Sequence, residues 1–167
     1  MPLIHLFALL ISPFVGSFLG VVIERLPEGR AVLWDRSTCD HCGRLLKPWS
    51  MIPLASYLLQ RGRCRECGEK ISGFYPLVEV LALAVAASAV LLVPGWPLWA
   101  SLYLGWSLLV LAWIDLRHKF LPDAVNLPLI PAGLLVTLLL APSLLPAHLL
   151  GAVLGFGTLA AIAWSYR

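Results

Sequence analysis

Four cysteines and a few acids are the residues of this chain whose types and spacing could do chemistry. The cysteines stand as Cys39-Asp-His-Cys42-Gly and Cys64-Arg-Glu-Cys67-Gly, two CxxC pairs separated by 21 residues. Each pair lets two thiolates point at one ion, the glycine that follows permits the tight turn, and two such knuckles complete a tetrahedral zinc site. Two disulfides or unpaired thiols are the competing outcomes, and a reducing cytosol disfavours disulfides. Four thiolates leave no open position for water, so the metal is expected to organise its loop and not to do chemistry. His41, inside the first pair, reads as a bystander.

The acids are fewer. Between Glu79 and Arg167 the only charged side chains lie in IDLRHKFLPD, which holds Asp115, Arg117, Lys119 and Asp123. Charge in or beside hydrocarbon costs roughly 2.5 to 3.5 kcal/mol per residue on insertion scales, which invites a functional reading. Short cytosolic loops between spans carry Lys and Arg anyway. Paired catalytic carboxyls sit about 3 Å apart and share one proton. Asp115 and Asp123 would lie about 12 Å apart along a continuous helix, and Pro122 breaks that helix. They are poor partners for each other, so a mate for Asp115 must come from another span. Glu79, one turn inside an apolar segment, and Asp123 are subordinate candidates.

Positioning these groups falls to an unusually apolar chain. It is 60% hydrophobic and 13% charged, with mean hydropathy +0.87, against roughly 45–50% apolar and about 25% charged in soluble domains. The expected fold class is an all-α polytopic membrane protein of about five transmembrane helices. Spans are predicted at Leu3–Leu26, Tyr75–Val93, Leu98–Ile114, Ala124–Leu140 (kinked by Pro128 and Pro131) and from His148 or Leu149 to Tyr166. The first is not a cleaved signal peptide by composition: no Lys or Arg precedes it and no small-residue cleavage site ends it. Gly16 and Gly20 form a GxxxG which, with Ser12 and Ser17, gives that span a close-packing face. Trp99, Tyr103, Trp106 and Trp113 read as interface belt and packing.

The chain thus divides into residues 1–26, a first span; 27–74, a polar loop with all four cysteines; and 75–167, a membrane bundle. Arg25, Arg30, Arg36, Arg44, Lys47, Arg61, Arg63, Arg65 and Lys70 crowd in and beside that loop. With the amino terminus periplasmic, five spans place every Lys and Arg on the cytosolic side. Between the knuckles, Pro53 marks a helix start with Leu54, Tyr57 and Leu58 on one face and Trp49 as an anchor, suited to lipid headgroups or to packing on the knuckles. Glu28, Asp35, Asp40, Glu66 and Glu69 interrupt the positive charge, so no nucleic-acid partner is expected; membrane lipid is.

GSFLGVVIERLP, the paired CxxC knuckles with IPLASYLLQRGRCREC between them, YPLVE and IDLRHKFLPDAVNLPL, in that order, resemble the type IV prepilin leader peptidases, over essentially the whole chain. The resemblance implies a multi-pass aspartic endopeptidase of the bacterial inner membrane. Such an enzyme removes the leader of type IV prepilins and type II secretion pseudopilins at the cytosolic face, then N-methylates the new amino terminus with S-adenosyl-L-methionine. By position Asp115 matches the first catalytic aspartate, Cys39, Cys42, Cys64 and Cys67 the zinc ligands, and Asp123 an acidic position after the proline. Gly20 stands where the family usually has asparagine. The second catalytic aspartate belongs to a GxGD motif absent from these residues; Gly155-Phe-Gly157-Thr158 has threonine in place of the acid and reads as helix packing. The expectation is therefore a carboxy-terminally truncated, inactive peptidase. Alternatives are a methyltransferase-only protein or a non-enzymatic zinc-loop scaffold, with a homo-oligomer as one arrangement.

Overall fold

The computed structural model describes every residue except Met1, Asp35, Arg36, Asp40, Lys47 and Arg167, so these members of the charge pattern lie outside the described residues. Among the described residues six α-helices follow one another: α1 (Pro2–Arg25), α2 (Ala55–Leu59), α3 (Phe74–Leu92), α4 (Pro97–His118), α5 (Asp123–Leu140) and α6 (Leu145–Ser165). Among the described residues there is no strand, only the isolated bridges Thr38 to Leu45 and Arg63 to Lys70. All the helices but α2 are long and apolar enough to cross a membrane. This is an all-helical, multi-span membrane protein.

The chain forms two compact units, Met1–Asn126 and Leu127–Arg167. In the first, α1, α3 and α4 share a core. Lipid is as apolar as leucine, so helices associate there through close packing, which small residues permit. On α1 the inward stripe is Ala8, Ser12, Gly16 and Gly20; on α3 it is Val78, Ala82, Ala86 and Ala89. A Cβ on Gly16 would lie 2.6 Å from the Glu79 Cα, and one on Gly20 would lie 2.8 Å from the Tyr75 ring. Ser12 belongs to that face, its hydroxyl donating to the Ala8 carbonyl at 2.5 Å. Ser17 does not: one residue past Gly16 it is only half-buried, with its hydroxyl near the Glu79 carboxylate.

Helix α4 closes on α3 where a Cβ on Gly105 would meet the Val85 side chain at 2.5 Å, and the Trp106 indole N–H donates to the Ala82 carbonyl at 3.1 Å. The helix outruns its predicted end at Ile114 and carries Asp115, Arg117 and His118 in its last turns before Lys119 turns left-handed (φ 59°). Hydropathy marks where the apolar run stops. Backbone pairing and the favourable place of Arg117 and His118 beside the C-terminal carbonyls carry the helix further.

In the second unit, α6 begins at Leu145, three residues before its predicted start, because Pro146 fits a helix's first turn. Pro128 and Pro131 lie inside α5. Neither Gly155 nor Gly157 has a neighbour within 4 Å of where a Cβ would stand. The expected packing role of that GxGT is therefore not met within its unit, and the Thr158 hydroxyl instead bonds back to the Gly155 carbonyl at 2.9 Å.

Candidate metal centre and membrane-face acids

The two cysteine pairs fold as copies of one turn. Cys39 N–H bonds the Arg44 carbonyl (2.9 Å) and Gly43 N–H the Cys39 carbonyl (2.8 Å); in the second copy Cys64 bonds Glu69 (2.8 Å) and Gly68 bonds Cys64 (2.9 Å). Gly43 and Gly68 both take a positive φ, 67° and 74°, with open space where a Cβ would go. Glycine is needed there for its backbone freedom and not for room. The copies face each other so that all four sulfur atoms lie within 4.8 Å of one another. All four thiols are free, and the Cys39 and Cys67 sulfurs are 3.9 Å apart. A tetrahedron with zinc–sulfur bonds of about 2.3 Å has edges of about 3.8 Å, so the donor set fits such an ion. An exposed Arg44–Glu66 ion pair also links the knuckles, a contact of small value in water.

The thiols are not equivalent. The backbone N–H groups of Cys67 and then Glu66 point at the Cys64 sulfur and bring that thiol down to about 7. At Cys67 the Glu69 amide pulls the same way, but burial and the crowding sulfurs of Cys64, Cys42 and Cys39 outweigh it and push that thiol up to about 11. One negative charge is accommodated and the next is opposed, which is the electrostatic situation a dication relieves.

The insertion rests on the helices through Glu79. This carboxylate is 4% exposed and accepts the Leu54 backbone N–H at 2.7 Å. Leu54 was expected on the face of a helix started by Pro53. Instead it stands just outside α2 with φ 58° and ψ −51°, a positive-φ backbone whose strain costs a non-glycine residue roughly 1–3 kcal/mol. Beside it the Tyr75 hydroxyl donates to Glu24 at 2.5 Å. Above these groups opens a cavity of about 720 Å³, lined by α1, by the start of α3 and by the insertion. Sequence reasoning missed the cavity; its one early signal was the acid at position 79.

The aspartates are placed otherwise. Asp115 is exposed near the end of α4 and Asp123 is exposed in the first turn of α5. Neither lines the cavity, and neither is brought into an ion pair among the described residues. Arg117, next to Asp115 but one, lies over the Phe74 ring at 4.6 Å and the Trp113 ring at 5.6 Å, tying the end of α4 to the start of α3.

The model of the bacterial peptidase A24 N-terminal domain matches residues 10–93, a span that holds both knuckles and Glu79. The chain belongs to the type IV leader peptidase family. That family's own model matches residues 102–165, which include both aspartates. Similar curated proteins are the prepilin leader peptidase/N-methyltransferases of Burkholderia pseudomallei (36% identical, covering 96% of this chain and 60% of the relative), Aeromonas hydrophila (39%; 95% and 63%) and Myxococcus xanthus (40%; 93% and 47%). The chain thus spans about three fifths of the length of the first two relatives and about half of the third. No solved structure matches it.

Proposed function

We propose that this leader peptidase family member serves in cleaving the leaders of type IV prepilins and type II secretion pseudopilins in the bacterial inner membrane, and in N-methylating the exposed amino terminus with S-adenosyl-L-methionine. The observation that carries the reading is similarity at 36–40% identity, over nearly the whole chain, to proteins named for both activities. In this reading the first span (1–26) and the bundle (75–167) hold a cytosolic loop (27–74) closed by structural zinc on Cys39, Cys42, Cys64 and Cys67. When bound, the metal fixes the loop without offering a position to water. Asp115 provides one of two carboxylates that activate water at the cytosolic face, a task that suits its place at a helix end beside the headgroups. Prepilins reach it through the membrane, and the basic loop meets anionic lipid.

The test is cleavage of a pilin precursor in membranes carrying the native protein, compared with Asp115→Asn, Asp123→Asn and Glu79→Gln. The expected result is a loss of about 10²- to 10⁴-fold with Asp115→Asn, typical of a lost acid–base group, and less than about threefold with Asp123→Asn. Cleavage surviving Asp115→Asn at wild-type rate would rule out the aspartic mechanism at this position.

A further inference from the structure

Glu79 is a buried carboxyl to which the fold gives no charged partner among the described residues. Its hydrogen-bond partner, the Leu54 amide, is uncharged, as is the Ser17 hydroxyl nearby, and among the described residues no cation lies within ion-pair distance. Buried charges are as a rule paired, since stripping water from an unpaired one is costly. Glu79 opens on the cavity, whose charged lining is mixed but unevenly so. The helices contribute Glu24, Glu79 and Arg25, with the rings of Phe14, Phe18 and Tyr75; the insertion contributes Arg30, Arg65 and Lys70 against Glu66, with the ring of Tyr57. Carboxylate beside aromatic faces is the chemistry that holds soft, weakly hydrated onium ions, better than it holds a compact metal cation. The excess of basic over acidic groups on the insertion side suits a ligand that also carries a carboxylate. The volume lies within the range that encloses ligands of nucleoside–amino acid size.

We propose that this cavity is a binding site for a small sulfonium cation of the methyl-donor class, with Glu79 as counter-ion to the sulfonium and the insertion's basic residues facing the ligand's carboxylate. The proposal rests on the methyl-transfer half of the reading above and gives that half a place, beneath the cysteine knuckles and apart from both aspartates.

The whole chain in lipid nanodiscs is titrated with S-adenosylmethionine and with S-adenosylhomocysteine, which lacks only the methyl group and the charge. Wild type is expected to prefer the sulfonium by about tenfold or more, a difference of about 1.4 kcal/mol. Glu79→Gln, which still accepts the Leu54 N–H, is expected to bring that preference to about one while the thioether binds as before. Ser17→Leu, which fills the floor, is expected to abolish binding of both. Zinc content per chain reports whether each variant keeps its insertion folded. A wild type without preference for the sulfonium overturns the proposal without reference to any variant. A preference retained in Glu79→Gln, or Ser17→Leu binding both ligands like wild type, removes the site and leaves the methyltransferase reading standing. A wild type that neither binds S-adenosylmethionine nor transfers methyl sinks both.

Discussion

The cysteine cluster and the aspartate stretch are both sets of polar residues at the edge of an apolar chain, yet the fold completes one and not the other. Cys39, Cys42, Cys64 and Cys67 are brought within 4.8 Å by two copies of one short turn, so most of the geometry is local and is set by CxxCG itself. Asp115 and Asp123 lie on different helices with Pro122 between them, and each remains exposed. A site built from local turns carries its own assembly instructions. A site built from helix ends depends on what holds those ends.

The sharpest break between the two regions should come from the cysteines. Cys39→Ser or Cys64→Ser is expected to lose zinc and the order of residues 27–74, because structural zinc supplies on the order of 10–16 kcal/mol in zinc-finger peptides. Metal analysis and limited proteolysis would show it, with Asp115→Asn retaining wild-type zinc. Loop order that survives loss of the metal would count against the structural role. Acid should erode the same site. Zinc must displace the proton of Cys67 at any pH below about 11, and Cys64, at about 7, also binds its proton more fully as pH falls. Apparent affinity therefore rises with pH, and chelator competition should extract zinc more readily at pH 6 than at pH 8. An affinity flat across that range would mean that the thiolates are held by something other than the ion.

Next in size is the contact on which the cavity's floor depends. Gly16→Leu puts a side chain where even a Cβ lies 2.6 Å from the Glu79 Cα, and overpacking of this kind costs typically about 1–3 kcal/mol. A lowered thermal midpoint in detergent is expected. An equal loss with Gly133→Leu, whose Cβ would meet nothing, would show that the effect is general to glycine and not to this contact.

Much of the fold was legible because apolar runs announce spans: α1 and α3 lie within a residue or so of their predicted bounds. The thiol cluster was legible because its turn chemistry is local. What hydropathy could not show were features fixed by long-range contact. Leu54 reads as an ordinary helix residue until Glu79, far along the chain, takes its amide. Ser17 and Gly16 are neighbours in sequence, and only the position of α3 decides that one packs and the other faces a cavity. The bond from Tyr75 to Glu24 joins two spans across the whole insertion, and no periodicity within either span encodes it.

The smallest effect asks whether the aspartate stretch has any assembly of its own. Arg117 is the one cation in the last turns of α4 shown seated on aromatic rings, Phe74 of α3 and Trp113 of its own helix. Such contacts contribute about 0.5–1 kcal/mol at exposed sites and more where water is thinned. Arg117→Gln should therefore cost about two- to fivefold in pilin cleavage if the stacked guanidinium fixes where Asp115 stands, and Arg117→Lys should restore part of that by keeping the cation over the ring. Zinc content should not move in either variant, since the knuckles are built without α4. Equal cleavage by Gln and wild type would mean that the end of α4 is held by the Lys119 cap and the Ile114 contacts alone. The aspartate stretch would then depend wholly on groups outside itself, and its contrast with the cysteine loop would be complete.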